Sequence, residues 1–319
     1  MSEAPGAASR PLRVLSHLPG ASVLGFTGPL PGVEILDVPT QGEPPPEASG
    51  EVLLTFAWGS PNLAQVASRG VRWIHTIGTG VDRFPLDVVG DRILTCSRGA
   101  SAIPIAEWVL AMLLAFAKQL PESWIDEPVA RWNQADLGGL AGRTLGLLGL
   151  GGIATAVATR ALAFEMRVLA LRRSRGPSGI PGVEIARDLR ELLGASDHLV
   201  IAASSTAETR HLIGREAFAA ARPGLHLVNI ARGAIVDQEA LREALDSGRV
   251  ARASLDVCDP EPLPAGHWLY AHPRVRLSPH ISWSAPEAMP RLFETFRENL
   301  RRYRAGEPLE GCVDLERGY

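Results

Sequence analysis

The chain has 319 residues, 46% of them hydrophobic and 21% charged, with a formal net charge of −3. This length points to two domains with large buried cores, and scattered arginines among acids exclude a basic face for nucleic acid. The longest apolar run, Ile105 to Ala117, carries Glu107 and is shorter than the ~20 residues a bilayer requires, so no membrane partner is expected. Cys96, Cys258 and Cys312 are odd in number and stand in no metal-ligating spacing, so no metal is expected. MSEAPGAASRPLR lacks the apolar core of a secretory signal. Reduced thiols in a cytoplasmic protein fit these features.

In chain order, Val33 to Val38 reads as a strand, and PTQGEPPPEASG after it as a proline-rich loop. Glu51 to Trp58 and Val71 to Ile77 are further strands, separated by a helix that ends at Gly70. A helix from Pro104 to Leu120 follows, apolar all round and therefore expected to be buried. From Thr144 the chain alternates strand and helix, with candidate strands at His198–Ala203, Gly224–Ala231, Arg252–Val257 and Val275–His280. An amphipathic stretch runs from Pro286 to about Ala305. This rhythm predicts parallel sheets with crossover helices.

Gly149-Leu150-Gly151-Gly152-Ile153-Ala154 is a G-x-G-x-x-A motif between a strand (Thr144 to Leu148) and an Ala-rich helix (Ala154 to Ala163). The hexapeptide alone is weak, but this strand–turn–helix context is that of a dinucleotide-binding unit. Gly149 permits the tight turn and Gly151 the approach of a pyrophosphate. Ala154 permits close helix packing, with Gly152 and Ile153 opening the helix. A ligand-free glycine turn is the plainer alternative. The second strand ends in Arg172, Arg173, Ser174 and Arg175, where NAD-preferring proteins place an acid. Guanidinium groups pair with a 2′-phosphate, so NADP(H) is the expected cofactor and NAD(H) a possible one. The alternative is that Arg172 points to solvent and selectivity is loose.

Three further segments occur in order: LVNIARGAIVDQEALREAL, SLDVCDPEPLP and LSPHISWSAPEA. With IGTGVDRFPL, IAEWVLAMLLAFAKQLPE and ETRHLIG, they make the chain resemble the D-isomer-specific 2-hydroxyacid dehydrogenase family over nearly its whole length. The resemblance implies that Arg232 orients the substrate, that His280 donates and accepts the proton, and that Glu261 pairs with His280. It also implies cofactor contacts from Ala231, Arg232, Asp256 and His280, and a substrate-carboxylate loop at Gly78, Thr79 and Gly80. Trp58 and Trp283 are expected to flank the substrate pocket, with plain core packing as the alternative. His and Pro are frequent in the family where this chain has Ala202 and Ser204, which leaves contacts at that loop open. His75, His198 and His211 read as structural or surface residues.

The chemistry of these residue types agrees. Hydride delivery to a ketone puts charge on its oxygen, and an imidazole titrates near neutrality and can supply the proton. A carboxylate partner favours the charged ring, and a guanidinium binds the substrate carboxylate.

The expected fold is therefore α/β with two domains and a cleft between them. A Rossmann-type doubly wound parallel sheet binds the cofactor (99–285), inserted into a smaller flavodoxin-like substrate domain (1–98 and 286–319). The expected activity is reduction of a small 2-keto acid, of the glyoxylate or hydroxypyruvate type. The alternatives are 3-phosphoglycerate dehydrogenation, or cofactor sensing without catalysis on the same scaffold. The family also implies a homodimer through the cofactor domain, with the Ile105–Ala117 helix at the contact.

Overall fold

The computed structural model describes residues 10–133, 136–174 and 176–319. Most of the amino-terminal segment read for a signal lies outside the described residues, as does Arg175. The chain divides into two units, Met1–Ala100 with Ala285–Tyr319, and Ser101–Ser284.

The first unit contains β1 (Leu12–Ser16), α1 (Gly20–Thr27), β2 (Val33–Asp37), β3 (Val52–Phe56), α2 (Leu63–Ala67), β4 (Trp73–Ile77) and β5 (Ile93–Cys96). Its strands pair in parallel in the order β2-β1-β3-β4-β5, the flavodoxin-like order. The central strands β3 and β4 are almost wholly buried, whereas the edge strand β2 is largely half-exposed. The chain returns to this unit as its last helix, Ala288–Ala305. That helix buries Leu292, Phe293, Phe296 and Leu300, and stacks Phe293 on Phe26 at 4.9 Å. Ser97 Oγ donates to Leu292 O at 2.9 Å, fastening the returning helix beside β5. Under it, His75 shares hydrogen bonds with Thr95 and Ser97, and burial holds its imidazole down to about 3.

The second unit opens with α3 (Ala102–Ala117). There follow β6 (Thr144–Leu148), α4 (Gly152–Ala163), β7 (Arg167–Leu171), β8 (Val183–Ile185), α5 (Leu189–Ala195) and β9 (His198–Ile201). Next come α6 (Arg215–Ala220), β10 (Leu225–Asn229), α7 (Gln238–Asp246), β11 (Val250–Leu255) and β12 (Val275–Leu277); the returning helix of the first unit is then α8. All strands are parallel, in the order β12-β11-β10-β9-β6-β7-β8. Every residue of β6, β9 and β10 is buried, which is why these strands read as unbroken apolar runs rather than alternating ones. Helices α3 and α4 cover one face, and α5, α6 and α7 the other.

Helix α3 is less buried than its sequence implies. Its inner face packs with α4, while Trp108, Met112 and Ala115 line a hollow of about 360 Å³ with Leu120, Pro121 and Trp124. Sequence reading also passed over β1, α1, β5 and β8. β5 and β8 have only four and three residues, and α1 buries only Val23 and Thr27.

The order reverses between β6 and β9, on either side of which the following connections lead to opposite ends of the sheet. In such sheets ligands bind at the carboxyl ends of the strands, at this switch point.

Candidate active site

At the end of β6 the chain turns through Gly149, whose φ is +98°. A Cβ there would lie 2.8 Å from Ala202 O and Ala203 N, so the loop after β9 can pack this closely only against glycine. A Cβ on Gly151 would meet nothing within 4 Å, which leaves open space against the backbone at that point. Gly151 is the N-cap of α4 and makes no side-chain cap, so the first-turn N–H groups of a twelve-residue helix are presented without a side-chain acceptor. Gly152 is exposed and Ile153 half-buried. The residues therefore fit a dinucleotide pyrophosphate.

At the end of β7, Arg172 Nη2 donates to Pro177 O at 2.5 Å, tying this guanidinium to its own loop. Its Nε is buried and has no hydrogen-bond acceptor among the described residues. Arg173 is more exposed and pairs with Glu208 at 2.5 Å; Ser174 beside it is exposed.

The other half of the sheet brings Arg232, Glu261 and His280 to the ends of three adjacent strands, β10, β11 and β12. Their turns are fixed by two buried polar side chains. Asn229, the last residue of β10, accepts from Ala231 N at 3.1 Å and donates to Arg232 O at 3.0 Å. This closes a tight turn that delivers Arg232, half-buried and extended, with its Nη1 on Ala231 O at 2.7 Å. Next along, Gly233 packs on the Cys258–Asp259 backbone so closely that a Cβ would fall 1.9 Å from Cys258 C. The arginine turn and the loop bearing Glu261 are thereby held together.

Asp256 is 1% exposed and follows β11. Its Oδ1 accepts from Ser278 Oγ at 2.6 Å and Ile281 N at 2.9 Å, and its Oδ2 from Ser282 N at 2.9 Å. Backbone bonds continue the ladder past the strands, from Asp256 N to Asn229 O and from His280 N to Asp256 O. The strand β12 stops at Leu277, so His280 sits in the turn beyond it, at φ +56°. That left-handed conformation costs energy for a non-glycine residue, and the three bonds to the Asp256 carboxylate, with His280 N on Asp256 O, offset it. Sequence reading placed Asp256 against the nicotinamide carboxamide; its carboxylate is here engaged in holding the His280 turn.

His280 Nδ1 lies 3.1 Å from Glu261 Oε2, while Glu261 Oε1 accepts from Cys258 N at 3.1 Å. The carboxylate thus orients the ring, and Nε2 is the nitrogen left for proton exchange. Gln238 secures the loop from behind, through Asp259 O and Asp259 N. Burial, with Glu261 and Asp259 nearby, pushes the Cys258 thiol up to about 11, so it stays protonated at neutral pH. Trp283 is 37% exposed, and its Nε1 donates to His280 O at 3.0 Å, a second hold on the same turn.

In the first unit, Gly78, Thr79 and Gly80 follow β4, with Gly78 at φ +130°. Trp58 follows the neighbouring β3, stacks on Phe56 at 5.1 Å and is 64% exposed, so it is not a core residue. Both lie at the carboxyl edge of that unit's sheet.

The family model for the D-isomer-specific 2-hydroxyacid dehydrogenase NAD-binding domain matches residues 110–282. The chain belongs to this family. Among its relatives, glyoxylate/hydroxypyruvate reductase B of Pectobacterium atrosepticum is 35% identical over 279 residues, 84% of either chain. The D-3-phosphoglycerate dehydrogenase of Methanocaldococcus jannaschii is 32% identical over 248 residues, 76% of this chain. The chain spans about half the length of the phosphoglycerate dehydrogenases it matches (46–48%).

Among solved structures, a family member from Xanthobacter autotrophicus in complex with NADPH and MES superimposes with a TM-score of 0.83. It is 28% identical and covers 98% of this chain and 100% of its own. An NADPH-dependent glyoxylate/hydroxypyruvate reductase from Sinorhizobium meliloti, bound to NADP and sulfate, gives 0.81 at 26% identity, covering 98% and 100%. No described helix is long and apolar enough to cross a membrane.

Proposed function

We propose that this protein is an oxidoreductase that reduces a short 2-keto acid of the glyoxylate or hydroxypyruvate type with NADP(H), and catalyses the reverse oxidation. The observation that carries this reading is the Glu261–His280 pair at 3.1 Å, on the strand end adjoining that of Arg232.

The cofactor supplies or accepts the hydride when bound at Gly149, Gly151, Gly152 and Ile153. Arg232 holds the substrate carboxylate and polarises the adjoining carbonyl. The N–H groups of Gly78, Thr79 and Gly80, at the carboxyl edge of the first unit's sheet, are suited to hold a carboxylate. His280, as imidazolium, donates its Nε2 proton to the carbonyl oxygen as hydride reaches the carbon, yielding the 2-hydroxy acid. In the oxidation the neutral ring takes that proton back, and Glu261 supports the charged state in both directions. Ala231 and Asp256 shape the nicotinamide end, while Trp283, bonded to the His280 turn, restricts substrate size.

Arg172, with its buried unpartnered Nε, together with Arg173 and Ser174, supports 2′-phosphate recognition and hence NADP(H) over NAD(H). The half-exposed face of α3 and the 71%-exposed Trp124 support a homodimer through this unit. Three free cysteines support a cytoplasmic setting.

The test is oxidation of NADPH and of NADH with glyoxylate, hydroxypyruvate, pyruvate, phenylpyruvate and 3-phosphohydroxypyruvate. Turnover of glyoxylate or hydroxypyruvate, faster with NADPH, is expected. A preference for the phosphorylated acid would make it a phosphoglycerate dehydrogenase. Tight cofactor binding without turnover of any acid would make it a sensor.

A further inference from the structure

The ion pair between Arg173 and Glu208 joins two loops that belong to different strands. Arg173 follows β7, and Glu208 lies in the connection after β9. In the sheet β6 runs between those two strands, and its carboxyl end is the glycine turn at Gly149. The pair therefore bridges the loops on either side of the dinucleotide turn, and Arg173 belongs to the loop that reads the ribose 2′ position.

The Glu208 loop is built rather than loose. Thr209 Oγ1 donates to Ser204 O at 2.9 Å, and Thr206 N donates to Thr209 Oγ1 at 2.8 Å. The same loop abuts Gly149 through Ala202 and Ala203. Glu208 is thus held at the rim of the cofactor turn, and its carboxylate occupies Arg173 with the charge and geometry that a phosphate oxygen would bring. Arg172 spends its Nη2 on Pro177 O within its own loop, while Arg173 reaches across to Glu208.

We infer that Glu208 is a specificity-determining residue: its carboxylate competes with the cofactor's 2′-phosphate for Arg173 and so moderates the preference for NADP(H). The inference rests on the reading that these arginines receive a 2′-phosphate. NADPH must exchange one anion for another at Arg173 and bring its phosphate near a carboxylate. NADH asks for neither, and the ion pair persists when it binds. The pair would leave a chain that carries the arginines of an NADP protein with access to NAD(H) as well.

The experiment measures dissociation constants of NADPH and NADH by calorimetry for the wild type, Glu208→Gln and Arg173→Gln. Glu208 is 75% exposed at its side chain, so its replacement leaves the fold intact. Glu208→Gln is expected to tighten NADPH about two- to fivefold, the scale of an exposed ion pair, with NADH unchanged. Arg173→Gln is expected to weaken NADPH alone. If Arg173→Gln weakens NADPH but Glu208→Gln leaves it unmoved, the competition is refuted and the 2′-phosphate reading stands. Equal shifts for both cofactors in Glu208→Gln would also refute it. If neither variant separates NADPH from NADH, both readings fall.

Discussion

The two halves of the seven-stranded sheet prepare their carboxyl edges by opposite means. Around β6, β7 and β9 the edge is made by leaving atoms out: Gly149 permits a backbone approach that any Cβ would block, and Gly151 leaves space for a ligand. Around β10, β11 and β12 it is made by burying polar side chains, Asn229 and Asp256, each satisfied by the turn it holds. The first half offers backbone and tolerates little in its own volume. The second positions Arg232, Glu261 and His280 and depends on hydrogen bonds made by Asn229 and Asp256. At the seam between the halves, His198 and His226 meet Nδ1 to Nδ1 at 3.2 Å, and His226 Nε2 lies 2.9 Å from Ser254 Oγ.

Breaking the catalytic half alone gives the largest effect. His280→Ala should lower turnover by about a thousandfold while leaving the NADPH dissociation constant within about twofold, since general acid–base catalysis is worth roughly 10²–10⁴. Steady-state rates and calorimetry on the same preparation check it. A matching loss of cofactor affinity would show that the two halves are not separable.

The seam should be weakened by acid. Burial holds His198 down to about 4 and His226 well below its ordinary range. Both folded values lie below the unfolded value, so the unfolded chain binds more protons on acidification. Stability is fully present above about pH 6.5 and is lost as pH falls towards 4, at about 1.4 kcal/mol per pH unit for each histidine. Denaturant midpoints at pH 7 and pH 5 measure this; equal midpoints would contradict it.

The glycines of the cofactor half should part company. Gly149→Ala places a Cβ against backbone at positive φ and should destabilise by about 2 kcal/mol. Gly151→Ala should leave the melting temperature unchanged and weaken dinucleotide binding about tenfold, because its Cβ intrudes only on the ligand. Loss of stability in both variants would mean that Gly151 serves the fold instead.

Asp256→Asn replaces an acceptor that faces two backbone N–H groups by one that must turn a donor towards them. It should cost about 1–3 kcal/mol of stability and lower kcat more than it raises KM. An unchanged kcat would separate Asp256 from the His280 turn. The smallest effect is expected from Glu261→Gln: without the carboxylate that orients the His280 ring, kcat should fall about threefold with the NADPH dissociation constant unchanged. An unchanged kcat would remove Glu261 from the pair.

What could be read from the sequence follows the same division. The glycine turn was legible because a strand, a spaced glycine pair and an Ala-rich helix are local and contiguous. Arg232, Glu261 and His280 were legible only through the family's ordered segments, because what unites them is the adjacency of β10, β11 and β12, not their spacing. Asn229 was passed over, although an Asn closing a strand three residues before an arginine is a turn signal. The bonds from Asp256 span 22 to 26 residues of chain, and no periodicity reports a contact at that separation. The Arg173–Glu208 pair, 35 residues apart, was hidden for the same reason. The missed strands β5 and β8 are four and three residues long, too short for a pattern to develop.

The central claim is hydride transfer to the carbon of a 2-keto acid with a proton from His280. It is tested most directly with NADPH deuterated at the transferred position of the nicotinamide, glyoxylate as acceptor, and mass analysis of the product from wild type and His280→Ala. The account predicts glycolate carrying one deuterium on the carbon bearing the hydroxyl in the wild type, and almost no product in the variant. Unlabelled glycolate, or labelled glycolate formed equally fast by the variant, would contradict it.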